Sequence, residues 1–239
     1  MHAGDGALKM KDWEHLPEVF RKPEIRPYYE ILRKKRTSLA IKRCFDLGAG
    51  SLLTLLLAVP LGVIAVCIKL DSAGTVLYRQ ERVTQYGKHF HIHKFRTMVS
   101  NADQIGSAVT VNHDSRVTRV GRVLRRFRLD ELPQLFDVLE GNMSFVGTRP
   151  EIPRYVEQYT PEMMATLLLP AGITSEASIR YKDEARLLEG TENVDQIYVE
   201  RILPEKMRWN LMSLRQFSLG RDFHTMLCTV LAVLGKDYT

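Results

Sequence analysis

The chain has 239 residues, 45% of them apolar and 26% charged, a composition that fits a folded protein and excludes a disordered or fibrous one. Its net charge of +6 points to an anionic partner: nucleic acid, anionic lipid or a phosphorylated substrate. Cys44, Cys67 and Cys228 show no C-x-x-C spacing, which sets aside a zinc ribbon and a disulfide framework and suits a reducing compartment.

In chain order, residues 1–20 are polar and expected to be loosely ordered at the start. Residues 27–43, "PYYEILRKKRTSLAIKR", predict a basic amphipathic helix lying at a membrane surface. Residues 47–68, "LGAGSLLTLLLAVPLGVIAVCI", carry no charge. As one straight helix they would reach about 33 Å, enough to cross a bilayer. A secretory signal peptide is not expected, because the apolar run starts too far along and no small-residue cleavage site follows it.

Two features favour a hairpin over a single span or a buried core helix. Pro60 lies inside the run, where it removes a backbone hydrogen bond. Cations flank both ends: nine Lys/Arg against two acids in residues 21–43, then Lys69, Arg79 and Arg82. Basic flanks stay cytoplasmic. A helix broken at Pro60 into arms of about 13 and 8 residues would enter and leave by one face, with Ser51 and Thr54 satisfying groups freed at the break.

Asp71-Ser72-Ala73-Gly74 ends the apolar segment with turn chemistry. "TVLYRQERV" and "KHFHIHKFRTM" flank Gly87 and predict a β-hairpin. His89, His91 and His93 alternate along its second strand and so share a face, read as solvated in preference to metal-binding. Residues 100–115 read as a surface loop. Val117, Val120, Leu124 and Phe127 have helical spacing, with arginines between them. Asp130 is placed to cap a helix that has Pro133 in its first turn and ends at Gly141. Helical pattern returns at 150–169 and at 194–217. The C-terminal "FHTMLCTVLAVLG" is too short to span and either packs on the fold or lies at the lipid boundary. The fold class is mainly α with a small antiparallel β-hairpin, membrane-associated through a re-entrant, broken helix. Three parts are expected: a basic segment (1–43), the re-entrant helix (44–70) and a catalytic part (71–239).

The chemistry concentrates around "RRFRLDELPQLFDVLEGNMSFVGTRPE", residues 125–151. Residues 115–129 hold six arginines and no acid. They suit anionic lipid, nucleic acid or a diphosphate; nucleic acid lacks support, since neither a recognition-helix pattern nor an aromatic platform accompanies them. Asp130 and Glu131 follow directly. One reading is a helix cap and a charge balance. The other is a nucleophile, since nearby cations favour the charged form of a carboxylate and a helix start attracts phosphate. In "SFVGTRPE", Gly147 is expected to turn the backbone and Pro150 to hold Arg149 extended for phosphate clamping.

These motifs resemble the bacterial sugar transferases acting on polyprenyl phosphate, the monotopic phosphoglycosyl transferases, across residues 40–239. The carriers are "KRCFDLGAG", "FHIHKFRTM", "LDELPQL" followed by "MSFVGTRP", "PAGIT" and "DFHTMLCTVLAVL". The resemblance implies that Asp130 attacks the β-phosphate of a UDP-sugar, that UMP leaves, and that Glu131 serves as base for undecaprenyl phosphate. It implies Mg²⁺ on Asp130, a phosphate clamp at Arg149, and further phosphate contacts from Arg125, Lys94, Arg96 and Arg128. Thr174, Ser175, Arg180 and Lys182 fall in a region implied to touch the nucleotide or sugar. Three departures from the family pattern are Val59-Pro60 for Ser-Pro, Thr148-Arg149-Pro150 for Pro-Arg-Pro, and "SEASIRYKDE" for Gly-Trp-Ala-Gln. The short N-terminus corresponds to the compact form. Partners would be a UDP-sugar, a polyprenyl phosphate and bacterial inner-membrane lipid, with no nucleic acid and with homo-oligomerisation left open. Both termini would lie on the cytoplasmic face of that membrane. The alternative from another class is a non-enzymatic membrane adaptor that binds anionic lipid or nucleic acid through its arginines.

Overall fold

A computed structural model of the chain describes residues 10–100, 102, 114–182 and 193–234. Most of the expected 100–115 loop lies outside the described residues, as does the start of the 1–20 segment. Helices dominate. Among the described residues two two-stranded sheets complete the fold, one antiparallel and one parallel.

Helix α1 (Arg26–Arg33) buries Tyr28, Tyr29 and Leu32. They join Phe20, Ile25, Leu168, Leu214 and Phe217 in one apolar core. Each such side chain contributes roughly 1.5–3 kcal/mol by leaving water. This corrects the expectation of a lipid-surface helix over 27–43. The apolar face of α1 is committed to the protein interior, and the helix ends at Lys34. Residues 36–43 instead begin α2 (Arg36–Leu56), which runs on into the apolar segment.

Helix α3 (Ala58–Asp71) follows α2 after a bend of 60°. Among the described residues no single helix is long and apolar enough to cross a membrane, whereas this bent pair meets that test together by length and composition. The break falls at Leu57 and not at Pro60. The reason is the helix ladder: Pro60 has no N–H for the carbonyl of Leu56, so the disruption appears one turn upstream. The arms are accordingly 21 and 14 residues. Thr54 donates to Gly50 O at 2.7 Å inside α2, so its hydroxyl is used before the break, and Ser51 is exposed. Leu52, Leu55, Leu56, Val59, Val63, Val66 and Leu70 are all exposed. So broad an apolar surface marks an interaction site.

The pair is anchored to the rest of the fold at both ends. Arg43 Nη1 donates to Val138 O at 2.7 Å, and Asp46 Oδ1 accepts from Phe145 N at 3.3 Å. At the far end, Asp71 Oδ2 accepts from Val120 N at 3.0 Å, and Ile68 packs on Phe95 and Leu124.

Strands β1 (Leu77–Val83) and β2 (His89–Phe95) form the expected antiparallel hairpin, with Tyr78 opposite Lys94. Gly87, at φ 76°, makes its turn. Helix α4 (Arg119–Arg126) matches the spacing of Val120 and Leu124. Helix α5 (Gln134–Glu140) stops at Gly141, whose φ of 84° suits a residue without a side chain. Strands β3 (Met143–Val146) and β4 (Ala171–Thr174) pair in parallel, which no sequence pattern announced. The chain bends at Gly147 directly after β3, as expected. A Cβ there would lie 2.8 Å from Pro170 O, so the glycine permits close approach of the two segments. The helix expected at 150–169 reduces to α6 (Pro153–Val156) and a 3₁₀ turn at Met163–Leu168. After α7 (Glu176–Arg180), the expected 194–217 helix is present as α8 (Val194–Ile197), a π turn and α9 (Leu203–Arg215). Helix α10 (Leu219–Val233) does both things expected of it. It packs through Cys228, Phe223 on Phe45 and a 2.7 Å Lys42–Asp222 pair, and it leaves Leu227 and Val230 exposed.

Candidate active site

Helix α4 ends with Arg128 in the left-handed region, at φ 55°, and the chain then makes a 3₁₀ turn at Leu129–Glu131. That turn overrides the expected cap. Asp130 makes no capping bond to α5, which starts at Gln134 behind Pro133. Its carboxylate faces β2: Oδ2 lies 2.8 Å from Lys94 Nζ. Asp130 is 2% exposed, and its Oδ1 is buried with no hydrogen-bond partner among the described residues. A buried oxygen left unpaired is costly, and natural folds keep such atoms where a ligand completes them.

Glu131 leaves the turn at roughly 100° to Asp130, yet both carboxylates reach Lys94 Nζ. Its Oε1 lies 2.6 Å from Arg149 Nη2, 3.5 Å from Lys94 Nζ and 3.8 Å from Arg128 Nη1. Burial pushes this carboxyl up, but the charges of Arg149, Lys94 and Arg128 outweigh it and hold the group well below the usual carboxylate range.

Lys94 and Arg149 contact the dyad and also line a cavity of about 210 Å³. Arg82, Arg96, Arg116 and Arg125 are in the same wall. Arg125 is steadied by Thr97, its Nε donating to Oγ1 at 2.8 Å. Arg96 gives Nη1 to Ala73 O and Nη2 to Ser72 O, both at 2.7 Å, so it ties the turn after α3 to the cavity. Arg116 is held by Asp114 at 2.6 Å. Six cations around one small space specify an anion of several charges.

The loop that carries Arg149 is fixed from beneath. Arg82 Nη1 donates to Pro150 O at 2.9 Å, and Val83 N to Glu151 O at 3.0 Å. The Glu151 side chain is buried against Tyr198 Oη at 2.6 Å and Lys206 Nζ at 3.5 Å. Burial pushes its carboxyl up, but Lys206 and Arg82 prevail and lower it, so Glu151 stays ionised. Arg116 belongs to the six-arginine run read as a possible diphosphate site, whereas Arg82, Gln134 and the Glu151 cluster were not read as site residues from the sequence. The partners of Arg82 and Glu151 are too far away in the chain for any spacing rule to join them.

Lys94, Arg96, Arg125 and Arg149 share the cavity wall, and Asp130 and Glu131 lie behind it, joined to it through Lys94 and Arg149. Arg128 reaches Glu131 on one side and Lys182 O, at 3.3 Å, on the other. Thr174, Ser175 and Arg180 are not in the cavity wall. Thr174 Oγ1 pairs with Thr229 Oγ1 at 2.7 Å, Ser175 caps α7, and Arg180 stacks 3.8 Å from the Trp209 ring. His93 departs from the solvated face expected for the three histidines. It is buried beneath α5, with its Nδ1 2.8 Å from Asp137 Oδ1. His89 pairs with Glu81, and His91 is exposed. His93, Asp137 and Glu140 lie close enough to share an ion, but the Arg79 guanidinium also contacts His93 Nε2 and opposes one. The cysteines are all free, as their spacing implied.

A model of the bacterial sugar transferase family matches residues 37–236. The chain is 38% identical over 199 residues to a UDP-glucose:undecaprenyl-phosphate glucose-1-phosphate transferase of Caulobacter vibrioides, covering 82% of this chain and 70% of that one. It is 36% identical over 195 residues to a protein of the same name from Escherichia coli, covering 80% of this chain and 39% of that one. Over 123 residues it is 44% identical to a UDP-N-acetylgalactosamine-undecaprenyl-phosphate N-acetylgalactosaminephosphotransferase of Aeromonas hydrophila, covering 52% of this chain and 29% of that one. The matched span runs from the first turn of α2 past the end of α10 and takes in the bent pair, the dyad and the cation-lined cavity: the chain belongs to the bacterial sugar transferase family.

Proposed function

We propose that this phosphoglycosyl transferase moves a phosphosugar from a UDP-sugar to a polyprenyl phosphate of the undecaprenyl type, releasing UMP and leaving a lipid-linked diphosphosugar. The relatives carry out this class of reaction by name, with glucose in two cases and N-acetylgalactosamine in a third, so the sugar is left open. The observation that carries the mechanism is Asp130, a buried carboxylate with one unpaired oxygen beside a cavity lined by cations.

An Asp130 oxygen attacks the β-phosphorus of the donor. The bond from that phosphorus to the bridging oxygen breaks, UMP departs with the electron pair, and an aspartyl-phosphosugar forms. Arg149, Arg125 and Lys94 bind the diphosphate oxygens and offset the charge that develops on them. An oxygen of the polyprenyl phosphate then attacks the same phosphorus and returns Asp130 to its free form. Glu131 is held by Arg149 at rest and is a weak base in that state. As the donor phosphates draw Arg149 and Lys94 away, its proton affinity rises, which fits it to take the acceptor's proton in the second half. Mg²⁺ fits the donor set, since Asp130 Oδ1 is a hard oxygen without a partner among the described residues, and bound there it would offset diphosphate charge.

The bent pair α2–α3 enters the bilayer as a re-entrant hairpin with both ends on the cytoplasmic face of the inner membrane. The exposed leucines and valines on both arms support this. Arg96 then sets the cavity beside the turn where the hairpin leaves the lipid, at the height of a polyprenyl phosphate head group. This chemistry suits the first membrane step in assembling a surface glycan. The test is acid quench of the purified protein with UDP-sugar alone: a phosphosugar adduct on Asp130 is expected, and protein that carries none while UMP is still released would refute the covalent route. Loss of UMP release in Asp130→Asn, with membrane binding retained, separates the enzyme from a lipid-binding adaptor.

A further inference from the structure

Gln134 opens α5 one turn beyond Asp130 and lines the same cavity as Lys94, Arg125 and Arg149. It is 1% exposed, yet neither its Oε1 nor its Nε2 has a hydrogen-bond partner among the described residues. Asp130 Oδ1, its neighbour in sequence by one turn, is in the same condition. Burying a carboxamide with nothing to bond is unfavourable, and a methionine or leucine would fill the space without that cost. A side chain kept in that state at the edge of a cavity is a group that waits for a ligand.

The chemistry of that ligand is constrained. The N–H₂ needs an acceptor and the C=O needs a donor. The neighbouring cations are turned elsewhere: Lys94 to Asp130, Arg149 to Glu131 and Arg125 to Thr97. A fully ionised phosphate offers acceptors only and would leave Oε1 unpaired. A sugar phosphate offers both within the span of one carboxamide. Its phosphoryl oxygen accepts, and the hydroxyl or amide hydrogen on the carbon beside the phosphorylated one donates.

We propose that Gln134 binds the transferred phosphosugar half of the donor, with Nε2 donating to a phosphoryl oxygen and Oε1 accepting from the hydroxyl or amide hydrogen on the adjacent sugar carbon. This rests on the transferase reading above and adds a residue and a selectivity to it. The polar atoms are covered at rest, so the contact forms as Lys94 leaves Asp130 for the phosphates. The nucleoside monophosphate half, which departs, makes no use of Gln134.

The full chain in lipid nanodiscs, assayed for UMP release with undecaprenyl phosphate, tests this. Gln134→Met keeps the shape and removes both polar atoms. Its melting temperature is expected to equal or exceed the wild-type value, because an unpaired buried group has been replaced by an apolar one. Its kcat/KM for the UDP-sugar is expected to fall about ten- to a hundredfold, the loss of two ligand hydrogen bonds, one of them to a charged group. The inhibition constant of UMP is expected to stay within twofold of wild type. A kcat/KM at the wild-type level overturns the proposal. So does a loss that tracks a lowered melting temperature, or an equal weakening of UMP. Should the methionine variant fail to fold, Gln134→Glu serves: it keeps an acceptor, loses the N–H and repels the phosphoryl group, so wild-type turnover in that variant overturns the proposal as well. Wild-type protein that releases UMP from no UDP-sugar defeats the transferase reading and this one together, whereas wild-type turnover with an equally active Gln134→Met defeats this one alone.

Discussion

The core beneath α1 and the cavity beside Asp130 are both buried, yet they are built from opposite materials. In the first, Phe20, Ile25, Leu32 and Leu168 are fully enclosed, and its buried tyrosine hydroxyls are paired, Tyr28 Oη with Glu162 at 2.5 Å and Tyr29 Oη with Lys11 O at 3.3 Å. In the second, Asp130 Oδ1 and both polar atoms of Gln134 have no partner among the described residues, and six cations line one wall. The first arrangement maximises stability; the second holds unfavourable groups that the first must offset. Local inconsistency of this kind is expected at functional sites, where a ligand and not the fold completes the bonding.

The sharpest way to break this contrast is to change each region and read both activity and stability. Asp130→Asn keeps the size and removes the nucleophile; UMP release is expected to fall by about 10,000-fold or more. Its melting temperature is expected to stay within a few degrees, since the lost charge pairs directly with Lys94, which keeps Glu131 nearby. A melting temperature that collapses would mean Asp130 belongs to the structural class. Leu32→Ala should behave in reverse. It is expected to cost about 2–5 kcal/mol of stability, measured by denaturant titration in detergent, and to leave kcat at low temperature near wild type. Arg149→Lys is predicted next in size. It keeps the charge but loses the two-pronged contact with Glu131, so kcat/KM should drop about ten- to a hundredfold with little change in melting temperature.

The same contrast explains what was readable in the chain. The hairpin at β1–β2, the end of α5 at Gly141 and the spacing of α4 follow from local rules, and each appears where alternation, glycine or helical period placed it. The dyad and Arg149 were legible because their motif is contiguous and chemically unusual. Errors arose wherever a distant partner decided the outcome. Residues 27–33 looked like a lipid-facing helix because the chain cannot display Leu168 or Phe217, which cover that face. Asp130 carried the signature of a helix cap, but the left-handed turn at Arg128 directs it to Lys94 on β2. Strands β3 and β4 are four residues each and pair across a long loop, too short for alternation to register. Gln134, Arg82 and Glu151 are invisible as site residues until the fold gathers them.

The bent pair gives a smaller and more local test. In a chain whose three cysteines are replaced by alanine, Lys11→Cys and Arg201→Cys should label from the same face of sealed vesicles. Adding Pro60→Leu restores the missing N–H to the Leu56 carbonyl and favours a straight helix. A fraction of the protein is then expected to place residue 11 on the opposite face. Labelling from opposite faces before that substitution would remove the re-entrant arrangement.

The smallest effect is the pH dependence of stability, and it separates a buried acid of the dyad from one paired with His93 beneath α5. The Glu131 carboxyl is held below its ordinary value by Arg149, Lys94 and Arg128 despite burial. An unfolded glutamate titrates near about pH 4.3. The stabilisation from Glu131 is therefore fully present above that pH and is lost as pH falls below it toward the folded-state value. Asp137 has the opposite sign. Burial raises its carboxyl despite the bonds from His93, so its contribution is present at low pH and is lost as pH rises through the folded value. Melting temperatures of wild type, Glu131→Gln and Asp137→Asn between pH 7 and pH 3 should show this. The gap between wild type and Glu131→Gln is expected to be widest at pH 7 and to narrow below pH 4.3, while Asp137→Asn should fall further behind wild type as pH falls. Glu151, lowered like Glu131, is present in all three proteins, so its acid loss cancels from the differences. A Glu131→Gln gap that stays constant down to pH 3 would mean that Arg149 and Lys94 do not hold that carboxylate at rest, and the resting state drawn for the dyad would have to change.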